Sequence, residues 1–338
     1  MEFEKIKKRL VNYTLFFRAA SWITRRSPRI FMYHRFSPDA STRGKIDETT
    51  FKWQIEVLSK RWNVMTLGDY LGIVRKGESP PPYTVVLTID DGYRDFYLYA
   101  YPWLKKYSLP ATFFPTVYFI NGKWLWWDRI NYSLENTKKK DFSFVFSGKS
   151  FDLDMSTAKK KESSWLKLSD FCVDVDNDVK WVFISELEKG LEVKMPSSPP
   201  EEYMAVSWEE LKELHGNGIE IGSHTLNHPI VSRISEETLK DELLISKARL
   251  EEFLDSEIIS FCYPNGKPDD LNSAVCGQVE KAGYKGAVVS YNRISEFDPY
   301  RIPRMGVDTD RDEFLWKLSG METLVLKLKS KTASANKK

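Results

Sequence analysis

The chain has 338 residues, enough for one large domain or two ordinary ones, and 42% of them are hydrophobic. This composition supports a folded core and excludes a largely disordered chain. The 50 basic and 48 acidic residues give a net charge of only +2. That balance argues against a nucleic-acid-binding protein, because such proteins concentrate basic side chains on one face.

The N-terminal segment, MEFEKIKKRLVNYTLFFRAASWITRR, predicts neither a signal peptide nor a membrane span. Arg18 interrupts its apolar run, and no small-residue cleavage site follows. We therefore expect a cytoplasmic protein. Residues 1–27 are predicted to form an amphipathic helix that packs on the domain or, alternatively, lies on a membrane surface. Its predicted apolar face comprises Phe3, Ile6, Leu10, Phe17 and Ile23.

The three cysteines, Cys172, Cys262 and Cys276, are odd in number and fit no zinc or redox spacing. They predict no disulfide framework, and they are compatible with a reducing compartment.

Strands and helices alternate along most of the chain. The first half predicts strands at 29–34 (RIFMYH), 85–90 (VVLTID) and 109–120 (LPATFFPTVYFI), and helices at 49–62 and 92–107. After residue 203, Ser207 and Glu210 form a capping box for the next helix. The elements that follow are strands at 219–224, 258–264 and 286–291 and helices at 235–254 and 271–284. Alternating units of this kind predict a parallel sheet or barrel.

Residues 121–203 interrupt this rhythm. The segment is polar and lysine-rich and ends in the stiff run MPSSPPEE, which indicates an insertion with strands and helices of its own. At the other end, residues 321–338 are predicted to be a basic tail.

Two adjacent acids, Asp90 and Asp91, end the apolar strand PYTVVLTI. Burying a carboxylate costs several kcal/mol unless something pairs with it. One interpretation is a polar turn in which Gly92 permits a sharp bend. The other is that a cation or substrate binds there.

A pair of histidines ends another predicted strand. His224 and His228 are four residues apart, so on a helical turn both imidazoles would face the same way. Two histidines and a carboxylate are common ligands for a divalent metal such as zinc. A metal would neutralise one acid of the Asp90–Asp91 pair and leave the other free to act as a base.

Three motifs in this order, LTIDDGY, SHTLNH and FCYPNG, resemble the polysaccharide deacetylases that share the NodB homology domain (carbohydrate esterase family 4). The resemblance covers about residues 28–310 outside the insertion. It implies an α/β fold, a distorted (β/α) barrel with an α+β insertion, in a domain that we place at 28–320.

The resemblance also implies roles for individual residues. Asp91, His224 and His228 match the metal ligands, and the ion is expected to be Zn²⁺, with Co²⁺, Ni²⁺ or Fe²⁺ as alternatives. Asp90 matches the catalytic base. The backbone N–H of Asn265 matches the group that stabilises the oxyanion.

Two family residues are absent from their usual places. The family usually has a Leu-x-His motif late in the chain, and none is present here because no histidine follows His228. His34 in MYH matches the pattern of this motif. A circularly permuted branch, which includes poly-N-acetylglucosamine deacetylases, has this histidine first, and the chain resembles that branch. We therefore expect His34 to act as the catalytic acid. The alternative is that His34 is a histidine packed in the core. The missing motif arginine has a candidate substitute in Arg304, which we expect to form a fork on Asp90.

Other polar and aromatic groups allow simpler interpretations. The tryptophan cluster has two interpretations: it stacks on sugar rings at the rim of the site, or it packs the insertion against the domain. Its members are Trp124, Trp126 and Trp127. Asp128 and Arg129 are consistent with a local ion pair. Asp269 and Asp270 fit a helix N-cap followed by a first-turn acid, and His215 fits a surface or capping residue.

Taken together, the motifs predict a zinc hydrolase that removes N-acetyl groups from an amino sugar in a polysaccharide or lipid-linked glycan. Two alternatives stay open: a carbohydrate-binding member of the same fold with little turnover, and a hydrolase of another amide, such as a sugar deformylase or a ring-opening amidase. The sequence does not indicate the exact sugar or the oligomeric state.

Overall fold

The computed structural model describes residues 14–40, 44–292 and 297–326. Short parallel strands rich in β-branched and aromatic residues form its centre. All six residues of β5 (TVVLTI) are buried, as expected for a strand covered on both faces. The strands in the described ranges are β1 (Arg29–Tyr33), β2 (Phe36–Ser37), β3 (Ile46–Asp47), β4 (Asn63–Met65), β5 (Thr84–Ile89), β6 (Ala111–Phe113), β7 (Asp141–Phe146), β8 (Lys149–Asp154), β9 (Ile219–Ile221), β10 (Ser260–Cys262), β11 (Gly286–Val288) and β12 (Met305–Gly306).

The strand order closes into an irregular ring. One sheet has the order β12–β1–β5–β6–β9, and β4 lies beside the first half of β5. β10 and β11 form a second parallel pair. Isolated bridges connect Ser223 with Phe261 and Val288 with Ile302, which joins β9 to β10 and β11 to the residues before β12. The predicted α/β class and distorted barrel are confirmed, whereas the circular permutation stays a prediction.

Helices surround this barrel and follow the predicted caps. Ser207 accepts a hydrogen bond from the backbone of Glu210 and the Glu210 side chain bonds back to Ser207, so the capping box is present. The helices are α1 (Thr14–Ile23), α2 (Glu48–Leu58), α3 (Leu67–Val74), α4 (Tyr101–Tyr107), α5 (Val117–Ile120), α6 (Trp126–Asn136), α7 (Ala158–Asp174), α8 (Asn177–Gly190), α9 (Trp208–Gly216), α10 (Glu236–Leu254), α11 (Ser273–Lys281) and α12 (Arg311–Ser319).

Two predicted elements differ from the structure. Residues 109–120 are not one strand: β6 ends at Phe113, and the short helix α5 follows after Pro115, which has no N–H to continue a sheet. The helix predicted at 92–107 begins later, with a π-helical turn at Phe96–Ala100. Asp91 and Gly92, with φ of 74° and 103°, first turn the chain away from β5.

The segment 121–203 encloses a hydrophobic cluster of its own. An antiparallel hairpin, β7–β8, turns at Ser147 and Gly148, which both have positive φ. Helices α6, α7 and α8 pack beside it. The fully buried members of this cluster include Leu168, Cys172, Phe183, Ile184 and Leu187. This arrangement supports the proposed insertion boundaries, which stay a prediction.

Helix α1 packs on α12 through small and polar residues. Thr24, just after α1, donates a hydrogen bond of 2.6 Å to the carbonyl of Ser319. Phe17 packs against the core, but Ile23 is 62% exposed, so the prediction that both lie on the same face of the helix is wrong. Phe3, Ile6 and Leu10 lie outside the described residues. Within the described ranges, every helix is too short or too polar to cross a bilayer.

Candidate metal and catalytic site

Asp91, His224 and His228 converge at the carboxyl ends of β5 and β9. Oδ1 of Asp91 lies 3.5 Å from Nε2 of each histidine, and all three side chains are buried. This separation is long for a hydrogen bond. Two ligand atoms that each lie about 2.0–2.1 Å from a tetrahedral ion are roughly 3.3 Å apart. The donor set and its spacing therefore fit a divalent metal ion.

The predicted reason for the histidine pairing is wrong. Residues 224–228 form a loop after β9 rather than a helical turn, and Thr225 and His228 have φ of 66° and 57°. The hydroxyl of Thr225 accepts the backbone N–H of His228 and stabilises this loop. Glu242 accepts the N–H groups of Leu226 and Asn227. The two imidazoles meet through this loop, with their ring centroids 4.6 Å apart.

Hydrogen bonding fixes the tautomer of His224. Its Nδ1 lies 2.8 Å from the carbonyl oxygen of Cys262. Because a carbonyl only accepts, Nδ1 carries a proton, and Nε2 is the ring atom that faces Asp91 and would bind a metal ion. Burial lowers the pKa of His228 to about 4, so that imidazole is neutral at neutral pH. Burial opposes a charge on His224, but Cys262, Asp91 and Asp90 outweigh it and raise the pKa of His224 well above its usual value. A metal ion would therefore bind His228 directly and displace a proton from Nε2 of His224.

Asp90 is held by Arg304. Nη1 and Nη2 of Arg304 donate to Oδ1 and Oδ2 of Asp90, both at 2.7 Å. Arg304 is 1% exposed and also donates to the carbonyl of Val289 and the hydroxyl of Thr88. Burial opposes ionisation of Asp90, but the charge and hydrogen bonds of Arg304 outweigh it and lower the pKa of Asp90. The fork expected from the sequence is therefore present.

His34 lies beside Asp90 because of strand register. β1 pairs with β5 so that Tyr33 is opposite Ile89, and the next residue of each strand is His34 and Asp90. Nε2 of His34 is 3.7 Å from Oδ2 of Asp90, and the His34 side chain is 45% exposed. A histidine so open to the cavity does not fit the alternative of a core histidine.

Asn265 lies in the loop after β10. It has φ of 59°, and its side chain donates to Asp270 at 2.6 Å. Its carbonyl accepts the hydroxyl of Ser290. Asn265 lines the same cavity as Asp90 and His34, so it meets the other predicted residues.

These groups line a cavity of about 740 Å³ that also has a wall from the segment 121–203. The Trp127 ring lies edge-on to His228, with centroids 4.6 Å apart. Trp126 and Trp127 line the cavity, whereas Trp124 packs against Tyr132 and Tyr203. The tryptophan cluster is thus divided between the site and the seam of the segment.

The sequence analysis missed a polar network beside the cavity. Tyr93 donates to Asp128 at 2.6 Å, and its oxygen accepts the indole N–H of Trp127 at 2.8 Å. The guanidinium of Arg35 lies 3.6 Å from the Tyr93 ring centroid and donates to Asp95. Burial raises the pKa of Asp128 to about 7. The position of Tyr93 directly after the acidic motif was the available signal.

Two local interpretations are wrong. Asp128 bonds to Tyr93, while Arg129 pairs with Glu188 at 2.6 Å, so these neighbours are not an ion pair with each other. Helix α11 is capped by Asn272 rather than by Asp269 or Asp270. Asp270 instead accepts hydrogen bonds from the side chain of Asn265 and the backbone N–H of Lys267, which fixes this loop.

His215 lies in the last turn of α9, in partial agreement with the capping interpretation, but its Nδ1 is buried and has no hydrogen-bond partner among the described residues.

Asp90, His224 and Cys262 form a second close group of metal-ligand types. Nη2 of Arg304 lies 3.3 Å from the sulfur of Cys262 and also holds Asp90. A cation there would compete with the guanidinium. The group of Asp91, His224 and His228 therefore fits a cation better than this second group does.

Comparisons with known proteins agree with this geometry. A family model described as polysaccharide deacetylase matches residues 77–136 and 186–287. The YxkH protein of Bacillus subtilis is 34% identical over 100 residues, 28% of this chain and 35% of its own. A peptidoglycan-N-acetylglucosamine deacetylase of Bacillus cereus is 31% identical over 99 residues, 29% of this chain and 43% of its own. The matched stretch thus spans less than half the length of these curated relatives.

Solved structures share the fold at low sequence identity. The Streptococcus pyogenes deacetylase PplD, in complex with acetate, has a TM-score of 0.56 and 19% identity, with 86% of this chain and 97% of that chain covered. IcaB from Ammonifex degensii has a TM-score of 0.55 and 18% identity, with 86% and 96% covered.

Proposed function

We propose that this chain, which belongs to the polysaccharide deacetylase family, is a metal-dependent hydrolase that removes N-acetyl groups from an amino sugar in a polysaccharide or lipid-linked glycan. The observation that carries the proposal is the convergence of Asp90, Asp91, His224, His228 and His34 on one cavity. Each of these groups has a separate task in amide hydrolysis.

Asp91, His224 and His228 would hold the ion, most simply Zn²⁺. Their one carboxylate oxygen and two imidazole nitrogens suit zinc and also cobalt, nickel or iron. A bound divalent ion polarises the amide carbonyl and makes a water molecule more acidic.

Asp90 is the proposed base, and it takes a proton from the attacking water. Arg304 keeps the carboxylate ionised and fixes its orientation, since both of its oxygens are held by the guanidinium. The water oxygen forms a bond to the acetyl carbon, and the carbonyl oxygen becomes negatively charged. The backbone N–H of Asn265 is the proposed hydrogen-bond donor to that oxygen.

His34 is the proposed acid. Its imidazolium donates a proton to the amide nitrogen as the carbon–nitrogen bond breaks, so that the products are acetate and a free amino sugar. The support is its position: Nε2 is 3.7 Å from Asp90 and the ring is open to the cavity. The two proposed proton-transfer groups are therefore neighbours on the cavity wall.

The direct test is acetate release from N-acetylglucosamine oligomers by the purified chain supplemented with Zn²⁺, Co²⁺ or Ni²⁺. We expect activity that a chelator removes and a metal restores. Activity of the Asp90→Asn or His224→Ala variant at the wild-type level would refute the mechanism. Formate release from an N-formyl sugar in the absence of acetate release would identify the deformylase alternative.

We also propose that α1 contacts the surface of an anionic membrane. Its outward stripe includes three large apolar side chains, whereas the solvent face of an ordinary surface helix is polar. Leu15, Trp22 and Ile23 are 81%, 59% and 62% exposed. Arg18 is also exposed on this stripe, and the spacing 15, 18, 19, 22, 23 follows one helical face, while Arg26 is exposed in the turn after α1.

Tryptophan beside arginine suits the boundary between lipid and water, where the indole is half buried and the guanidinium meets phosphate. Membrane binding through one short helix of this kind is reversible. A cytoplasmic location stays a prediction of the sequence.

A further inference from the structure

The two histidines of the candidate metal site are held in different ways. Nδ1 of His224 lies 2.8 Å from the carbonyl oxygen of Cys262, and this contact fixes the orientation of the ring. Nδ1 of His228 is buried and has no hydrogen-bond partner among the described residues. Histidines that bind a metal usually donate their second ring N–H to a carbonyl or carboxylate, which orients the imidazole. The orientation of His228 therefore depends on other contacts.

The backbone of His228 does not supply that orientation. Its φ of 57° lies in the left-handed region, which a residue other than glycine keeps only where its surroundings hold it. The hydroxyl of Thr225 accepts the backbone N–H of His228 at 3.0 Å. This hydrogen bond stabilises the loop but leaves the imidazole free to rotate about its own side-chain bonds.

Two aromatic rings flank the imidazole of His228. The ring centroids of His224 and Trp127 each lie 4.6 Å from that of His228, at interplanar angles of 79° and 70°. Edge-to-face contacts of this kind favour one relative orientation of the rings. Because His224 is itself a proposed ligand, Trp127 is the flanking ring that lies outside the ligand set. It belongs to the segment 121–203.

The indole of Trp127 is fixed by the hydroxyl of Tyr93. That oxygen accepts the indole N–H at 2.8 Å, and the hydroxyl donates to Asp128 at 2.6 Å. Trp127 and Asp128 are consecutive residues in the first turn of α6, and Tyr93 follows the proposed ligand Asp91 by two residues. One hydroxyl thus connects the start of α6 with the turn that carries a metal ligand.

The Tyr93 ring is held firmly enough to serve as this connection. Tyr93 is 1% exposed, and it packs edge-to-face on Phe119 with ring centroids 4.9 Å apart. The guanidinium of Arg35 lies 3.6 Å from the centroid of the Tyr93 ring. The indole N–H of Trp165 also donates to the carbonyl of Trp127 at 3.3 Å, which holds the backbone of Trp127 in place.

We propose that Trp127 is a positioning residue for His228: held by Tyr93 and by its place in α6, its indole keeps the imidazole in the orientation that binds the metal ion. This inference rests on the proposed metal site of Asp91, His224 and His228. It makes the segment 121–203 a part of that site, since the segment supplies the ring that replaces the missing hydrogen bond of His228.

Zinc affinity of the full chain tests the inference without any measurement of turnover. The metal-free protein is titrated with Zn²⁺ in competition with a chromophoric chelator. Trp127→Leu keeps an apolar side chain but removes the ring and its N–H, and it should weaken zinc binding about tenfold, the lower end of the loss for a residue that orients a ligand.

Two milder variants remove only the hydrogen bond between the rings. Trp127→Phe keeps a ring beside His228 and lacks the N–H, whereas Tyr93→Phe lacks the hydroxyl. Each should weaken zinc binding about two- to fivefold. The double variant should bind zinc no more weakly than the weaker of the two single variants, because both changes remove the same hydrogen bond. This comparison decides the matter if Trp127→Leu fails to fold.

The matched control is Trp124→Leu. Trp124 belongs to the same segment but packs on Tyr132 and Tyr203, so its loss should leave zinc affinity at the parent value. The visible absorption of bound Co²⁺ reports the coordination geometry. It should change in Trp127→Leu and stay the same in Trp124→Leu. Circular dichroism and thermal unfolding check that each variant is folded.

Parent-like zinc affinity in folded Trp127→Leu, or additive losses in the two phenylalanine variants, would overturn the inference and leave the metal site standing. Equal weakening by Trp124→Leu would show a general loosening of the segment and would also overturn it. If the parent chain binds no zinc, or if His228→Ala binds it unchanged, the proposed metal site itself is rejected, and the role of Trp127 is rejected with it.

Discussion

Arg304 and Asp90 form a two-pronged ion pair across 214 residues of sequence, with both nitrogen–oxygen distances at 2.7 Å. The pair is buried on both sides, with side-chain exposures of 1% and 3%. The Arg304 side chain spans the distance: it also donates to the carbonyl of Val289, just after β11, and to the hydroxyl of Thr88 in β5, so it reaches Asp90 through the buried space between these strands. A buried pair of this geometry controls the protonation of the carboxylate.

Arg304→Lys should shift the pH dependence of turnover. Arg304 lowers the pKa of Asp90, so a lysine that cannot form both hydrogen bonds should let that pKa rise. The base must be ionised, and the acidic limb of kcat/KM should therefore move to higher pH. We expect kcat/KM at neutral pH to fall about 10- to 100-fold, the value of a lost charged hydrogen bond.

The measurement is a pH–rate profile over the range in which the protein stays folded. Lys317→Arg, a conservative change at an ion pair with Glu313 on α12, is the control and should leave the profile unchanged. An Arg304→Lys enzyme with the wild-type acidic limb would show that Arg304 does not tune the base.

Metal content should separate the two adjacent acids. Asp91→Asn removes a proposed ligand and should lower zinc stoichiometry after dialysis, whereas Asp90→Asn should keep the ion and lose about 100- to 10,000-fold in turnover. Inductively coupled plasma mass spectrometry measures the ion and acetate release measures turnover. Equal zinc content in both variants, each near one ion per chain, would contradict the assignment of Asp91 as the ligand.

The sequence predicted the site where the groups follow strands of the same parallel sheet. Asp90 and Asp91 end β5, and His224 comes shortly after β9; in a parallel barrel these ends meet at one rim, so order along the chain was sufficient. The pairing of Arg304 with Asp90 required a second argument. Because the motif FCYPNG lacks the family's usual arginine, the buried carboxylate of Asp90 needed another cationic partner.

Other relationships have no local signal. The approach of His224 to His228 depends on positive φ at Thr225 and His228, which no residue type in SHTLNH requires. The contact between Trp127 and His228 joins the segment 121–203 to the barrel, and hydrophobic periodicity along the chain does not predict which residue Trp127 contacts. The strand predicted at 109–120 failed because aromatic and β-branched residues suit both a strand and the short buried helix α5.

His34→Ala should slow amide hydrolysis about 100- to 10,000-fold, because the amine must leave with a proton. The loss should be much smaller for an activated ester such as 4-nitrophenyl acetate, whose leaving group departs as an anion. His215→Ala, at the far end of α9, is the matched control and should retain wild-type rates on both substrates. A His34→Ala enzyme that loses ester and amide hydrolysis equally would point to a structural role instead of proton donation.

The outward stripe of α1 should bind anionic lipid vesicles. The double variant Trp22→Ser with Ile23→Ser removes the two large apolar groups nearest Arg26. It should reduce sedimentation of the protein with phosphatidylglycerol vesicles severalfold. Zwitterionic phosphatidylcholine vesicles should bind both the wild-type protein and the variant weakly. Leu244→Ser with Ile245→Ser, on α10 at 39% and 40% exposure, is the matched control and should not change binding. High salt should weaken the wild-type interaction, since arginine–phosphate attraction is screened. A second copy of this chain could cover the same face of α1, and sedimentation velocity on the same proteins tests for such a dimer. If the wild-type protein is a dimer, the α1 variant is a monomer and neither binds vesicles, then α1 joins two copies of this chain and the membrane contact is excluded.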